Sequence, residues 1–145
     1  MEDLHKVIRN IKSIHNPTCL ETISKFNHDN WIHDFCTLPF TEKINYDTST
    51  IFKNHKLKVN FNMFYGGLSI VNELKFWDCL IKPLSGKIYY YTFVDKELQN
   101  KTVIPENIPN IILKEYDNEN YLFENDEQFP VYTLNFYDKT NSNDR

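Results

Sequence analysis

Two different spacings of apolar residues divide the chain. Near the start, Leu4, Val7, Ile8, Ile11 and Ile14 recur at helical spacing opposite Lys6, Arg9 and Lys12, which predicts an amphipathic helix over residues 2–15. Glu2 and Asp3 fall in its first turn, where the helix dipole favours acids, and Asn16-Pro17 ends it. Thr18 followed by Glu21 fits a capping box for a second helix that buries Leu20, Ile23 and Phe26. A third helix, capped by Asp29 or Asn30, carries Trp31, Ile32 and Phe35 until Leu38-Pro39 stops it.

Beyond residue 38 the period shortens to two. Leu57, Val59, Phe61 and Met63 alternate with Lys56, Lys58, Asn60 and Asn62, the pattern of a strand with one face in the core and one in water. Gly66-Gly67 turns the chain into a further extended run at 68–71. The stretches 74–81 and 87–94 flank Lys82-Pro83-Leu84-Ser85-Gly86 and predict a β-hairpin, with both arms apolar on both faces. Segments 111–116, 121–124 and 131–137 supply more strands. The expected fold class is therefore α+β: two or three N-terminal helices packed on an antiparallel meander sheet of about five to seven strands. One domain is expected over 1–138, helical over 1–38 and sheet over 39–138, with a disordered tail at 139–145.

Composition sharpens this picture. The chain has no alanine, three glycines and eighteen asparagines, so its core must be built from large β-branched and aromatic residues, which favour sheet. Fourteen lysines against two arginines complete the signature of an AT-rich coding sequence, in which an asparagine is easily acquired. The N-terminus is charged from Glu2 onward and has no signal-like apolar run, and no run of about 18 apolar residues exists to span a membrane. Cys19, Cys36 and Cys79 are odd in number and widely spaced, which suits a reducing compartment and predicts a cytoplasmic protein.

Candidate chemistry is sparse. His28, His33 and Cys36, with Cys19 as a fourth donor, are the one set of zinc-type ligands, but their spacing matches no common zinc module; neither metal nor cofactor is expected, and the question passes to the fold. No serine or cysteine sits in a nucleophile elbow. Glu73-Leu74-Lys75 with an upstream Asp47 has the outline of a metal-dependent nuclease site, yet a magnesium ion needs more converging carboxylates. Lys53, Lys56 and Lys58 beside Phe52, Phe61 and Phe64 have the composition of a base-stacking platform, but a pI of 5.7 has the wrong sign for binding phosphate, so no direct nucleic-acid contact is expected.

Charge distribution carries the functional expectation. The net charge is −4, and the acids concentrate at 106–127, where seven Asp/Glu face a single Lys114. Glu115, Tyr116, Asp117, Glu119, Tyr121, Phe123, Glu124, Asp126 and Glu127 interleave acids with large rings, the makings of a surface that steers and anchors a basic partner. The expectation is a small acidic binding protein without catalysis that inhibits a basic protein, most concretely an immunity protein neutralising a bacterial toxin such as a nuclease. The alternative is an enzyme or small-ligand binder with an aromatic pocket between helices and sheet, lined by Trp31, Trp77, Tyr89, Tyr90, Tyr91 and Tyr132 with His33 or Asp78 as its polar group. A phage or viral protein that blocks a host factor shares the binding physics of the first reading.

Overall fold

The computed structural model describes residues 2–9, 11, 13–25, 38–71, 74, 76–94, 96–113 and 119–139. Two helices, α1 (Glu2–Arg9) and α2 (Pro17–Lys25), precede ten strands. These are β1 (Thr41–Lys43), β2 (Tyr46–Lys53), β3 (Leu57–Phe64), β4 (Gly67–Ile70), β5 (Asp78–Pro83), β6 (Ile88–Val94), β7 (Glu97–Ile104), β8 (Asn110–Ile112), β9 (Glu119–Asn125) and β10 (Val131–Asp138). They form two antiparallel sheets, one of six strands in the order β1-β2-β3-β10-β5-β8 and one of four in the order β4-β9-β6-β7.

This architecture corrects the single-meander α+β expectation: the molecule is mostly a β-sandwich. Side-chain alternation shows how the sheets stack. On β3, Leu57, Val59 and Phe61 join Ile8, Ile14, Cys19 and Ile23 of the helical segment in one apolar cluster, with Leu80, Leu134 and Phe136 from neighbouring strands. The opposite face of the same sheet contributes Phe64, Cys79, Ile81, Val131 and Tyr137 to a second cluster with Ile88, Ile104, Tyr121 and Phe123 of the other sheet. The six-stranded sheet thus lies in the middle, with helices on one side and the four-stranded sheet on the other. β3 is buried on both faces, not half-solvated: the Asn60 and Asn62 side chains that alternation assigned to water face the second sheet.

The expected hairpin of 74–81 with 87–94 does not form. β5 pairs with β10 and β8, whereas β6 pairs with β7 and β9, so the intervening segment carries the chain from one sheet to the other. Gly86 makes the crossing possible: its φ is +83°, and a Cβ there would stand 2.9 Å from the Phe129 ring. The chain changes sheet again between β3 and β4, β4 and β5, β7 and β8, β8 and β9, and β9 and β10.

At the N-terminus, α1 ends at Arg9, short of the expected residue 15, because Ser13 and His15 are drawn to the sheet. Asp138 accepts hydrogen bonds from the Ser13 hydroxyl at 2.9 Å and the Ile14 amide at 3.1 Å, and His15 Nε2 lies 2.9 Å from Asp78. Asp138 is therefore a buried strand residue at the end of the expected domain; of the tail expected at 139–145, residues 140–145 lie outside the described part. The cap of α2 also differs. Asn16 Oδ1 accepts from the Thr18 amide at 2.9 Å with Pro17 at the first helical position, while Glu21 pairs with Lys25 at 2.8 Å instead of reaching back. The third helix expected over 29–38 falls largely outside the described residues.

Candidate functional site

The inner face of the six-stranded sheet is not uniformly apolar. Cross-strand register aligns Thr48 of β2, Asn62 of β3 and Thr133 of β10 in one row, and Thr50, Asn60 and Asn135 in the next. Phe64, Val131 and Tyr46 close the rows at one end and Tyr137 at the other. Asn60, Asn62, Thr133 and Asn135 are all at most 2% exposed, so each polar atom needs a protein partner or a ligand.

Some of those needs are met within the rows. Thr50 Oγ1 donates to Asn60 Oδ1 at 2.8 Å, Thr133 Oγ1 to Asn135 Oδ1 at 2.8 Å, and Asn135 Nδ2 to the Tyr137 hydroxyl at 2.9 Å. Asn62 is different. Neither its Oδ1 nor its Nδ2 has a hydrogen-bond partner among the described residues, and its row neighbour Thr48 has an unpartnered hydroxyl as well. Ser69 of β4, which pairs across to Phe123 and points into the same inter-sheet layer, adds a third. An unsatisfied buried amide or hydroxyl costs about 1–3 kcal/mol, so this grouping is not neutral packing.

The same layer opens at the β7–β8 end. Tyr90 and Thr92 of β6, Asn100 and Thr102 of β7 and Tyr121 of β9 face Ile111, Ile112 and Leu113 across a pocket of about 210 Å³. The Tyr121 hydroxyl donates to the Leu113 carbonyl at 2.9 Å, tying the two sheets together there. Hydroxyl and amide groups dominate the polar side of this pocket and the rows alike, so the layer can bind donors and acceptors without carrying a formal charge.

The acidic-aromatic segment is dispersed by the fold. Glu115, Tyr116 and Asp117 lie outside the described residues, and Glu119 opens β9. Tyr121 and Phe123 point inward and are buried, Phe123 completely, so their rings belong to the core. Glu124 accepts a hydrogen bond from the Tyr91 hydroxyl at 2.6 Å. Asp126 and Glu127 flank Lys87 at 3.5 and 2.9 Å, and Lys101 sits 4.6 Å from the Tyr89 ring and 5.4 Å from that of Tyr91. Glu124, Asp126 and Glu127 are thus matched by a phenol and a cation on the outer face of the four-stranded sheet.

The aromatic pocket between helices and sheet is likewise rearranged. Tyr90 lines the inter-sheet pocket, Tyr132 stacks on Phe61 under the helices, Tyr89 and Tyr91 face outward, and Trp77 packs against Tyr137. Asp78 is engaged with His15; Trp31 and His33 lie outside the described residues. Ser13, His15 and Asp78 form no nucleophilic triad, because the Ser13 hydroxyl donates to Asp138 and accepts from the His15 backbone, not from its ring. Phe61 and Phe64 are buried and Phe52 half-buried, which removes the stacking-platform reading. Asp47 accepts a hydrogen bond from the Tyr65 hydroxyl, while Glu73 and Lys75 lie outside the described residues.

Among the described residues no three of His, Cys, Asp and Glu converge, and the inner rows offer amides and hydroxyls, poor ligands for a transition metal. His28, His33 and Cys36 lie outside the described residues; burial, then the Asp138 carboxylate, pushes the Cys19 thiol up to about 11, away from the thiolate that binds metal. Sequence reasoning missed the rows themselves. The available signal was the pair of asparagines on the polar side of the best strand, and an asparagine-rich composition masked it.

The sequence matches no family model and no curated protein. Solved structures are more informative. The chain is similar to the cupin domain of Schizosaccharomyces pombe Cnp3, at 11% identity and TM-score 0.54, over 72% of this chain and 70% of that one. It is similar to the Drosophila melanogaster CENP-C cupin domain at 12% identity and TM-score 0.53, over 69% and 74% of the two chains. A third likeness is to hydroxypropylphosphonic acid epoxidase from S. wedmorenis, at 7% identity and TM-score 0.55; it covers 68% of this chain and 54% of the epoxidase, about half of its length. Iron(II) forms of HppE share the fold as well, but the described residues here do not provide an iron-binding set. These likenesses overturn the immunity-protein reading, which rested on the acidic-aromatic segment 106–127 forming one exposed surface. The chain carries a cupin-like β-sandwich, an architecture of the double-sheet jelly-roll kind found here in an epoxidase and in cupin domains alike.

Proposed function

We propose that this chain is a small-ligand binding module whose inter-sheet polar rows hold a neutral molecule rich in hydroxyl or amide groups. One observation carries the reading: Asn62, 1% exposed, has neither side-chain atom partnered among the described residues. A carboxamide donates and accepts at once, and with the Thr48 and Ser69 hydroxyls it makes a complementary set for a ligand that does the same. Charged ligands are disfavoured, since the rows contain no opposite charge to offset their desolvation. Binding is favoured over catalysis because asparagine and threonine neither gain nor lose a proton near neutral pH. Cys19 and Cys79 are both buried, in keeping with a reducing, cytoplasmic setting.

The test uses Asn62→Leu. If Asn62 is kept for a ligand, replacing its unpaired amide with an apolar group of similar size raises stability by about 1 kcal/mol and the melting temperature by about 3 °C. The wild-type chain should also gain thermal stability with at least one member of a panel of neutral polyols, N-acetylated sugars and nucleosides, and the variant should not. Ligand at a hundredfold excess over Kd contributes about 2.7 kcal/mol, well within detection. A variant that is clearly less stable than wild type would show the amide to be structurally satisfied and would sink the reading.

A further inference from the structure

Opposite the helical layer, the outer face of the four-stranded sheet bears a concave apolar site. Leu68 and Ile70 of β4 are 48% and 55% exposed, and Ile44, at the tip of the β1–β2 turn, is 82% exposed. Two-residue turns select Gly, Asn, Asp or Ser, so a bare isoleucine at this tip has no turn-forming reason to be there. The turn is also held in place. Asn45, with φ of 66°, donates from Nδ2 to the Leu68 carbonyl at 2.7 Å and accepts from the Tyr65 amide at 3.0 Å. The first turn of one sheet is thereby pinned to the edge strand of the other.

Between them lies a pocket of about 370 Å³ lined by Lys43, Ile44, Tyr46, Leu68, Ile70 and Leu122. Tyr46 is buried and stacks on Phe64 at 5.2 Å, which anchors this wall to the inter-sheet core. Lys43 is the one charged residue in the lining, is exposed, and has no ion-pair partner among the described residues. Glu124, beside Leu68 across the strands, is turned to the Tyr91 hydroxyl.

We infer that this pocket is a second binding site, independent of the inter-sheet rows, for an amphipathic anion: a hydrocarbon or aryl body ending in a carboxylate. The volume lies in the range of small-ligand sites, roughly 300–1,000 Å³, and apolar walls with one convergent polar group are their usual chemistry. The body lies against Ile44, Leu68 and Ile70, and the carboxylate meets the Lys43 ammonium. A neutral hydrocarbon leaves that ammonium without a role, and a cationic ligand meets like charge.

Octanoate, octanol and octylammonium titrated separately into the full chain, followed by amide NMR, test this. Octanoate should shift the Leu68, Ile70 and Leu122 amides and bind about fivefold more tightly than octylammonium. Lys43→Glu, a surface substitution that leaves the core intact, should reverse that order, and Asn62→Leu should not change it. Equal affinity for the anion and the cation would overturn the inference, as would shifts confined to other residues. A concentration-dependent dimer that octanoate does not dissociate would show a second copy of the chain covering the groove, and would overturn it too.

Discussion

Cys19 on α2 is 6% exposed, and burial, reinforced by the Asp138 carboxylate, pushes its thiol from about 9.0 up to about 11. In that interval the folded chain keeps a proton that the unfolded chain has lost, so stability present below about pH 9 is lost progressively toward pH 11, by about 2 to 3 kcal/mol in all. Lys82 works the other way. Its ammonium is buried beneath α2, donating to the Ile23 carbonyl at 3.1 Å, and burial lowers its pKa from 10.5. Below 10.5 there is a window in which only the unfolded chain holds that proton, so stability there rises with pH and partly offsets the Cys19 loss. Urea midpoints measured across alkaline pH should therefore fall more steeply in Lys82→Met than in wild type, and the fall should flatten in Cys19→Ala. An unchanged alkaline slope in Cys19→Ala would rule out the thiol as its source. Neither shift was legible in the sequence, where Cys19 entered only as a possible fourth zinc donor. The candidate site fared similarly: Asn60 and Asn62 were visible as a polar stripe, but burial turned the stripe from a solvated face into an internal one.

At the level of elements, the latch between the helical segment and the sheet rests on two adjacent acids. Asp78 and Asp138 are register partners on β5 and β10, and they hold His15, Ser13 and the Ile14 amide. Asp138→Ala leaves the Ser13 hydroxyl and the Ile14 amide unmet and should cost about 2–3 kcal/mol. Hydrogen exchange should locate the damage: amides of α1 and α2 become fast, while β3 and β10 stay protected. Uniform loss of protection would instead make the latch part of the global core. The helices and β3 were readable because their buried faces follow clean periods. β7 was not, because of its eight residues only Ile104 is buried, and an edge strand so exposed has no apolar period to read. The false hairpin has the same kind of cause. Two apolar stretches around a glycine-bearing loop look alike whether the loop joins neighbours in one sheet or carries the chain between two.

For the whole molecule, the joint between the sheets decides stability. Phe123, fully buried, sits 5.6 Å from the Phe64 ring of the opposite sheet and 6.2 Å from Tyr90. Phe123→Ala should cost about 3–5 kcal/mol and unfold helices and sheets together in thermal denaturation. A melting temperature within a degree of wild type would refute this inter-sheet role. By itself the sequence determined that the chain packs a core of large side chains rich in strand formers, and where its first helix starts. It also placed the β3 strand and the polar residues on one of its faces. Only the tertiary structure decided that there are two sheets and that Phe123 is an internal joint and not a surface anchor. It also decided that Asn62 is buried without a partner and that Ile44 faces Leu68 and Ile70. The physical reason is that period reports which side of a strand is which, while sheet membership depends on long-range pairing. A side chain's environment follows from what is stacked on it, and that information is not local to any segment of the chain.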